Sequence, residues 1–143
     1  GSMASELENV IRAELDARGF QFSQQTAIGP YNCDLTLGAV AVEVFGGGWH
    51  WAGHHAARHR ERSRHIIDAG FHLLVFQIDR KRPLTPGGYD KLVTFLEFAQ
   101  RNPTARRQYW VVGGTGEILT GIRPDLDPLS DVRPFESGHW PCA

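Results

Sequence analysis

The run Val40-Ala41-Val42-Glu43-Val44-Phe45 constrains this chain more than any other segment. All but one of its residues are apolar, so it predicts a strand with neither face on water. Such a strand lies inside a sheet with other layers packed above and below. Glu43 is the exception. A carboxylate in that setting is costly unless a partner or a chemical use offsets it.

The preceding segment is its natural partner. Tyr31 to Leu37 alternates, which predicts Tyr31, Cys33, Leu35 and Leu37 on one face and Asn32, Asp34 and Thr36 on the other. Leu37-Gly38-Ala39-Val40 fits a hairpin with a two-residue loop, Gly38 taking the first position of a type II′ turn. That register sets Leu37 against Val40, Thr36 against Ala41 and Asp34 against Glu43. Directly opposed residues share a face, with β-carbons roughly 5 Å apart. Two like charges so placed demand a proton, a cationic side chain or a metal ion. Oxygen ligands on rigid strands suit Mg2+ or Mn2+, which makes Asp34 and Glu43 candidate metal ligands. The plainer reading is an Asp–Glu pair facing solvent, each acid partnered by an arginine.

The other elements follow from periodicity. Residues 5–18 predict a helix, with Leu7, Val10, Ile11 and Leu15 at helical spacing, Ser5 and Glu8 as a capping box, and Gly19 as the stop. Residues 20–28 predict a polar strand near a sheet edge, ended by Gly29-Pro30. Residues 56–69 predict a basic helix closed by Gly70, 71–78 a buried strand, and 89–101 an amphipathic helix. Residues 108–112 and 117–121 predict a hairpin around Gly113-Gly114-Thr115-Gly116. The order predicts an α/β fold, a mixed sheet flanked by helices, with the basic helix as a crossover and an extra C-terminal helix and hairpin.

The 143 residues predict a single domain over 3–143, Gly1-Ser2 reading as a tag remnant. No apolar run approaches a membrane span. The two cysteines, Cys33 and Cys142, stand far apart, which favours a reduced, cytoplasmic chain. A net charge of −1 does not announce a nucleic-acid binder, but the basic residues cluster. Arg58, Arg60, Arg62 and Arg64 share one short stretch with His54, His55, His59 and His65.

The segments Tyr31-Asn32-Cys33-Asp34, Val40 to His50, Arg60-Glu61-Arg62-Ser63-Arg64-His65 and Asp68 to Phe76, in that order and spacing, resemble the very-short-patch repair (Vsr) endonucleases. They are similar too to other small proteins of the restriction-endonuclease-like PD-(D/E)xK class and to related homing endonucleases. The resemblance runs from about Ser5 to Asp79, which would be the core, with 80–143 as an extension. It implies a restriction-endonuclease-like αβββαβ core and Mg2+- or Mn2+-dependent hydrolysis of a DNA phosphodiester. The family's central metal-binding aspartate falls on Asp34, its N-terminal helix glutamate on Glu8 and its catalytic-loop histidine on His50. In the wider class a strand glutamate falls on Glu43. The chain departs from the pattern at Phe45, where a typical site has lysine, and at Ser63, where many relatives carry aspartate. With two cysteines it lacks the repair enzymes' structural zinc set.

DNA is thus the expected partner and no membrane contact is expected; pairing into a homodimer stays open. His50 is the candidate general acid or base, and Glu8 the residue to orient water, if it is not spent on the capping box. Arg58, Arg62 and Arg64 are candidate phosphate contacts, Arg58 or Arg62 standing in for the missing lysine. Trp49 and Trp51 are candidate base contacts, although core packing is the commoner fate of tryptophan. Two further readings remain open at this point. One is a non-catalytic nucleic-acid-binding module on the same scaffold, its site eroded at Phe45 and Ser63. The other is a protein-binding domain that uses the basic helix.

Overall fold

The computed structural model describes residues 3–46, 53–102 and 107–119. Helix α1 (Met3–Ala17) is followed by strands β1 (Ser23–Ile28), β2 (Tyr31–Leu37) and β3 (Val40–Gly46). Helix α2 (Gly53–Asp68), strand β4 (His72–Ile78), helix α3 (Pro86–Arg101) and strand β5 (Tyr109–Gly113) complete them. The strands form one five-stranded sheet in the order β1-β2-β3-β4-β5. β1, β2 and β3 pair antiparallel, whereas β3, β4 and β5 run parallel. This is the mixed α/β sheet and αβββαβ order expected from the sequence.

Two cores sandwich the sheet. Val40, Val42 and Val44 of β3 pack with Ile11 and Leu15 of α1 and Leu92, Phe95 and Leu96 of α3. Ala41 and Phe45 pack on the other face with Ile66 and Ile67 of α2. β3 is therefore covered on both sides, as its apolar run predicts. Each large side chain so buried contributes about 1.5–3 kcal/mol.

The β2–β3 hairpin has the predicted register, Leu37 opposite Val40, Thr36 opposite Ala41 and Leu35 opposite Val42. Gly38 adopts φ 55° while Ala39 stays at negative φ, as a type II′ turn requires. The β1–β2 turn is a second two-residue hairpin, pairing Ile28 with Tyr31. Its Gly29 has φ 59°, and a β-carbon there would fall 2.1 Å from His65 Nε2. Glycine thus lets the turn bend and lets α2 close over it.

Four sequence expectations are corrected. α1 begins at Met3, so Ser5 lies inside the helix and cannot cap it; Glu8 is used elsewhere, as shown below. β1 begins at Ser23 rather than Phe20, because Phe20 still bonds back to Leu15 O of α1. α3 begins at Pro86 rather than Tyr89. Thr85 is its N-cap and Pro86 suits the first turn, while Gly88 lets the helix approach Gly114, whose carbonyl would lie 2.5 Å from an added β-carbon. The side chains of β2 do not keep one alternation. Leu35 and Leu37 pack with the α1–α3 core, but Cys33 packs with the α2 core and Tyr31 stacks against His65 of α2. The strand changes face at Asp34. The C-terminal hairpin is present as one antiparallel bridge, Val112 to Ile118, reinforced by Leu119 N donating to Val111 O.

Candidate active site

The break in β2 lies on a single row of residues crossing the sheet. Gln24 faces Leu35 and Thr26 faces Cys33, so Gln25 stands level with Asp34. Leu35 faces Val42, so Asp34 in turn stands level with Glu43. Neither level pair belongs to the regular ladder. Side chains do the ladder's work instead: Val44 N donates to Asp34 Oδ2 at 2.8 Å, and Asp34 N donates to Glu43 Oε2 at 3.2 Å. The two acids are thereby locked together, each carboxylate accepting from the other strand's backbone.

Glu43 is 1% exposed. Arg62 reaches it from α2 as a fork, Nε donating to Oε1 and Nη2 to Oε2 at 3.2 Å. The same Nη2 donates to Asn32 O at 2.6 Å, and the guanidinium lies 5.4 Å from the Tyr31 ring centroid. A planar, always charged guanidinium suits this double role better than an ammonium would. Among the arginines of the basic stretch, Arg62 is thus the one turned into the site. Arg58 and Arg64 are exposed on α2.

The charges do not balance. Asp34 and Glu43 bring two negative charges against one positive charge on Arg62. Burial and the neighbouring Glu43 carboxylate push Asp34 up to about 7, against the pull of the Val44 amide and Arg62. The leftover charge is therefore met by a proton for part of the time at neutral pH. The same burial and the two carboxylates push the Cys33 thiol up, so this buried free cysteine is held as an unreactive thiol.

A second carboxylate unit adjoins the row. Glu8 of α1 is 6% exposed, and its oxygens accept from Gln25 Nε2 at 3.0 and 3.1 Å and from Gln24 Nε2 at 3.3 Å. Gln25 adopts φ 51°, the only positive φ of a non-glycine residue among the described residues. A left-handed conformation costs an ordinary side chain about 1–2 kcal/mol. Gln25 holds it at the point where its amide bridges helix α1 to the row containing Asp34. Sequence reasoning missed Gln25, since nothing in Ser23 to Ile28 marks a left-handed residue.

Phe45 occupies the place of the expected lysine. Its ring meets the buried His59 edge-on at a centroid distance of 4.3 Å, and Ser63 Oγ lies 3.5 Å from the same imidazole. Phe45 and Ser63, the two departures from the family pattern, thus pack with His59 in one cluster. Trp49, His50 and Trp51 lie outside the described residues, as do Cys142 and the side chains of His54 and His55.

The residues present fit a divalent cation in two respects. Mg2+ sites commonly use one or two carboxylates and fill the remaining positions with water and substrate phosphate. Asp34 and Glu43 supply that pair, and Asp34 is only half-buried. The net negative charge of the Asp34–Glu43–Arg62 group also invites a cation. No group of three or more His, Cys, Asp or Glu among the described residues could hold a metal ion. No family model, curated protein or solved structure matches this chain. No described helix is long and apolar enough to cross a membrane.

Proposed function

We propose that this chain is a Mg2+- or Mn2+-dependent DNA endonuclease of the Vsr-like, PD-(D/E)xK kind, hydrolysing or nicking phosphodiester bonds. The observation that carries the reading is the contact of Asp34 with Glu43 at the break in the sheet, with their charge only partly offset by Arg62. A site that merely stabilised the fold would gain nothing from a second, half-buried carboxylate beside Glu43. Replacing buried charges with apolar residues is often neutral or stabilising.

In this reading Asp34 and Glu43 hold the cation, which when bound supplies Lewis acidity toward the phosphodiester and a more acidic water. Backbone donors of β2 and β3 fix the two carboxylates before substrate arrives, which lowers the cost of organising them. Glu8, held by Gln24 and Gln25, is the base that orients the attacking water. Arg58 and Arg64, exposed on the helix that carries Arg62, supply positive charge for the DNA backbone. His50 is assigned proton transfer from the family resemblance alone, and Trp49 and Trp51 base contacts on the same ground.

A specific observation favours a second reading. The Phe45–His59–Ser63 cluster leaves no cation at the usual lysine position, as in a scaffold that binds nucleic acid without cutting it. One assay separates the two. Supercoiled plasmid is incubated with the protein and Mg2+ or Mn2+, beside Asp34→Ala. Metal-dependent nicking that falls at least about a hundredfold in the variant supports the nuclease. Salt-sensitive binding with no nicking supports the binding module and overturns the nuclease.

A further inference from the structure

Three of the roughly four acceptor positions of the Glu43 carboxylate are taken while Arg62 is in place. Both of its oxygens accept from the Arg62 fork, and Oε2 accepts also from Asp34 N. A divalent ion brought against Glu43 would meet a guanidinium already seated on the same carboxylate, and like charges at that range repel strongly in a half-buried site.

Arg62 is not held by Glu43 alone. Nη2 donates to Asn32 O at 2.6 Å, and the guanidinium lies over Tyr31. Neither contact involves an acidic side chain. The Arg62 side chain keeps 28% of its surface exposed, whereas Glu43 is sealed. The guanidinium can therefore leave Glu43 toward solvent while Tyr31 and the Asn32 carbonyl keep it near the site. Glu43 cannot follow it, because its strand is paired along its length with β4.

Building on the proposed metal-dependent reading, we infer that Arg62 and the divalent cation compete for Glu43. Arg62 holds the carboxylate pair together in the empty enzyme and is displaced when the cation arrives. The displaced guanidinium, tethered at Tyr31 and Asn32, is then a positive group beside the site, available to the anionic phosphodiester. Arg62 is in this sense a positioning residue whose charge is used twice, first on Glu43 and then on substrate. It also supplies, from helix α2, the positive charge that Phe45 cannot.

Competition for Glu43 and a purely structural ion pair predict effects of opposite sign. Arg62→Gln keeps an amide donor for Glu43 and removes the competing charge. Competition predicts Mn2+ binding, measured by calorimetry, that is at least about tenfold tighter than in the wild type. Plasmid nicking falls in the same variant, through loss of the charge owed to substrate. A folded Arg62→Gln protein with unchanged or weaker Mn2+ affinity overturns the competition. Should that variant not fold, the wild type decides. Mg2+ added to 15N-labelled protein is expected to move the Arg62 Nε–Hε signal and speed its exchange with water; an unmoved, protected signal under saturating Mg2+ overturns the inference. Failure of the underlying reading looks different. Wild type that neither binds Mn2+ nor differs from Asp34→Asn rules out the metal site itself, and the competition with it.

Discussion

One row of residues crosses this sheet, and its two halves are built on opposite principles. On β4 and β5 the row is Val75 and Val111, both fully buried, paired through an unbroken parallel ladder. On β1, β2 and β3 it is Gln25, Asp34 and Glu43, where regular pairing of β1 with β2 and of β2 with β3 lapses and side chains take over backbone donors. The apolar half stabilises the fold. The polar half departs from what folding alone would select: a left-handed glutamine, an aspartate held well above the usual carboxylate range and a sealed glutamate. Strain and buried charge are concentrated at one place, with an ordinary ladder beside it, which is the basis for proposing the polar half as the functional part of the sheet.

The comparison is broken most severely by moving charge across the row. Val75→Asp sets a carboxylate one strand from Glu43, on the same level, where Arg62 is already committed. The fold is expected to lose at least about 4 kcal/mol, read by urea denaturation. A small loss would mean that the apolar half tolerates charge as readily as the polar half does.

Arg62→Ala attacks the polar half through its only cation partner among the described contacts. Glu43 is left buried and unpaired, and the expected cost is about 3–4 kcal/mol in the same denaturation experiment. The loss should be largest above the pH at which Asp34 ionises, since both carboxylates are then charged.

Asp34 gives the pH dependence. Its folded value of about 7 lies above the roughly 3.9 of an unfolded aspartate. Between those values the native state holds more protons than the unfolded one, so stability falls as pH rises through that window. The contribution is complete below the unfolded value and lost above about 7. Asp34→Asn cannot ionise, so its stability relative to wild type is expected to rise by about 4 kcal/mol between pH 4 and pH 8. Parallel stability curves for the two proteins would place Asp34 in an ordinary solvated setting.

Gln25, at the sheet edge, is expected to matter least. Gln25→Ala removes the donor to Glu8 without relieving the left-handed backbone, at a cost of about 1–2 kcal/mol. Gln25→Gly loses the same donor but takes φ 51° freely, and is expected to be the more stable of the two in thermal melts.

How much of this was legible in the sequence depended on the range of the forces involved. Gly38 fixed the β2–β3 register because a two-residue turn leaves little choice, and the Asp34–Glu43 contact followed from counting back along both strands. The order of elements followed from hydrophobic periodicity. The change of face at Asp34 was not legible, because Tyr31, Cys33, Leu35 and Leu37 alternate without a break and only the distortion at Gln25 and Asp34 turns the strand. The choice of Arg62 over Arg58 rests on how α2 is rotated against the sheet, which one turn of helix spacing does not reveal. For Glu8, local pattern offers a capping box with Ser5 and the family resemblance a role in orienting water. Its partners Gln24 and Gln25 lie on the next element, and local pattern does not register a contact made across tertiary space.

In the proposed function the polar half of the row holds a divalent cation. Calorimetric titration of the wild type with Mn2+, beside Asp34→Asn under the same conditions, tests it most directly. Saturable binding at one site in the wild type, weakened at least about tenfold in Asp34→Asn, is the predicted result. Equal binding by both proteins, or none by either, would contradict it.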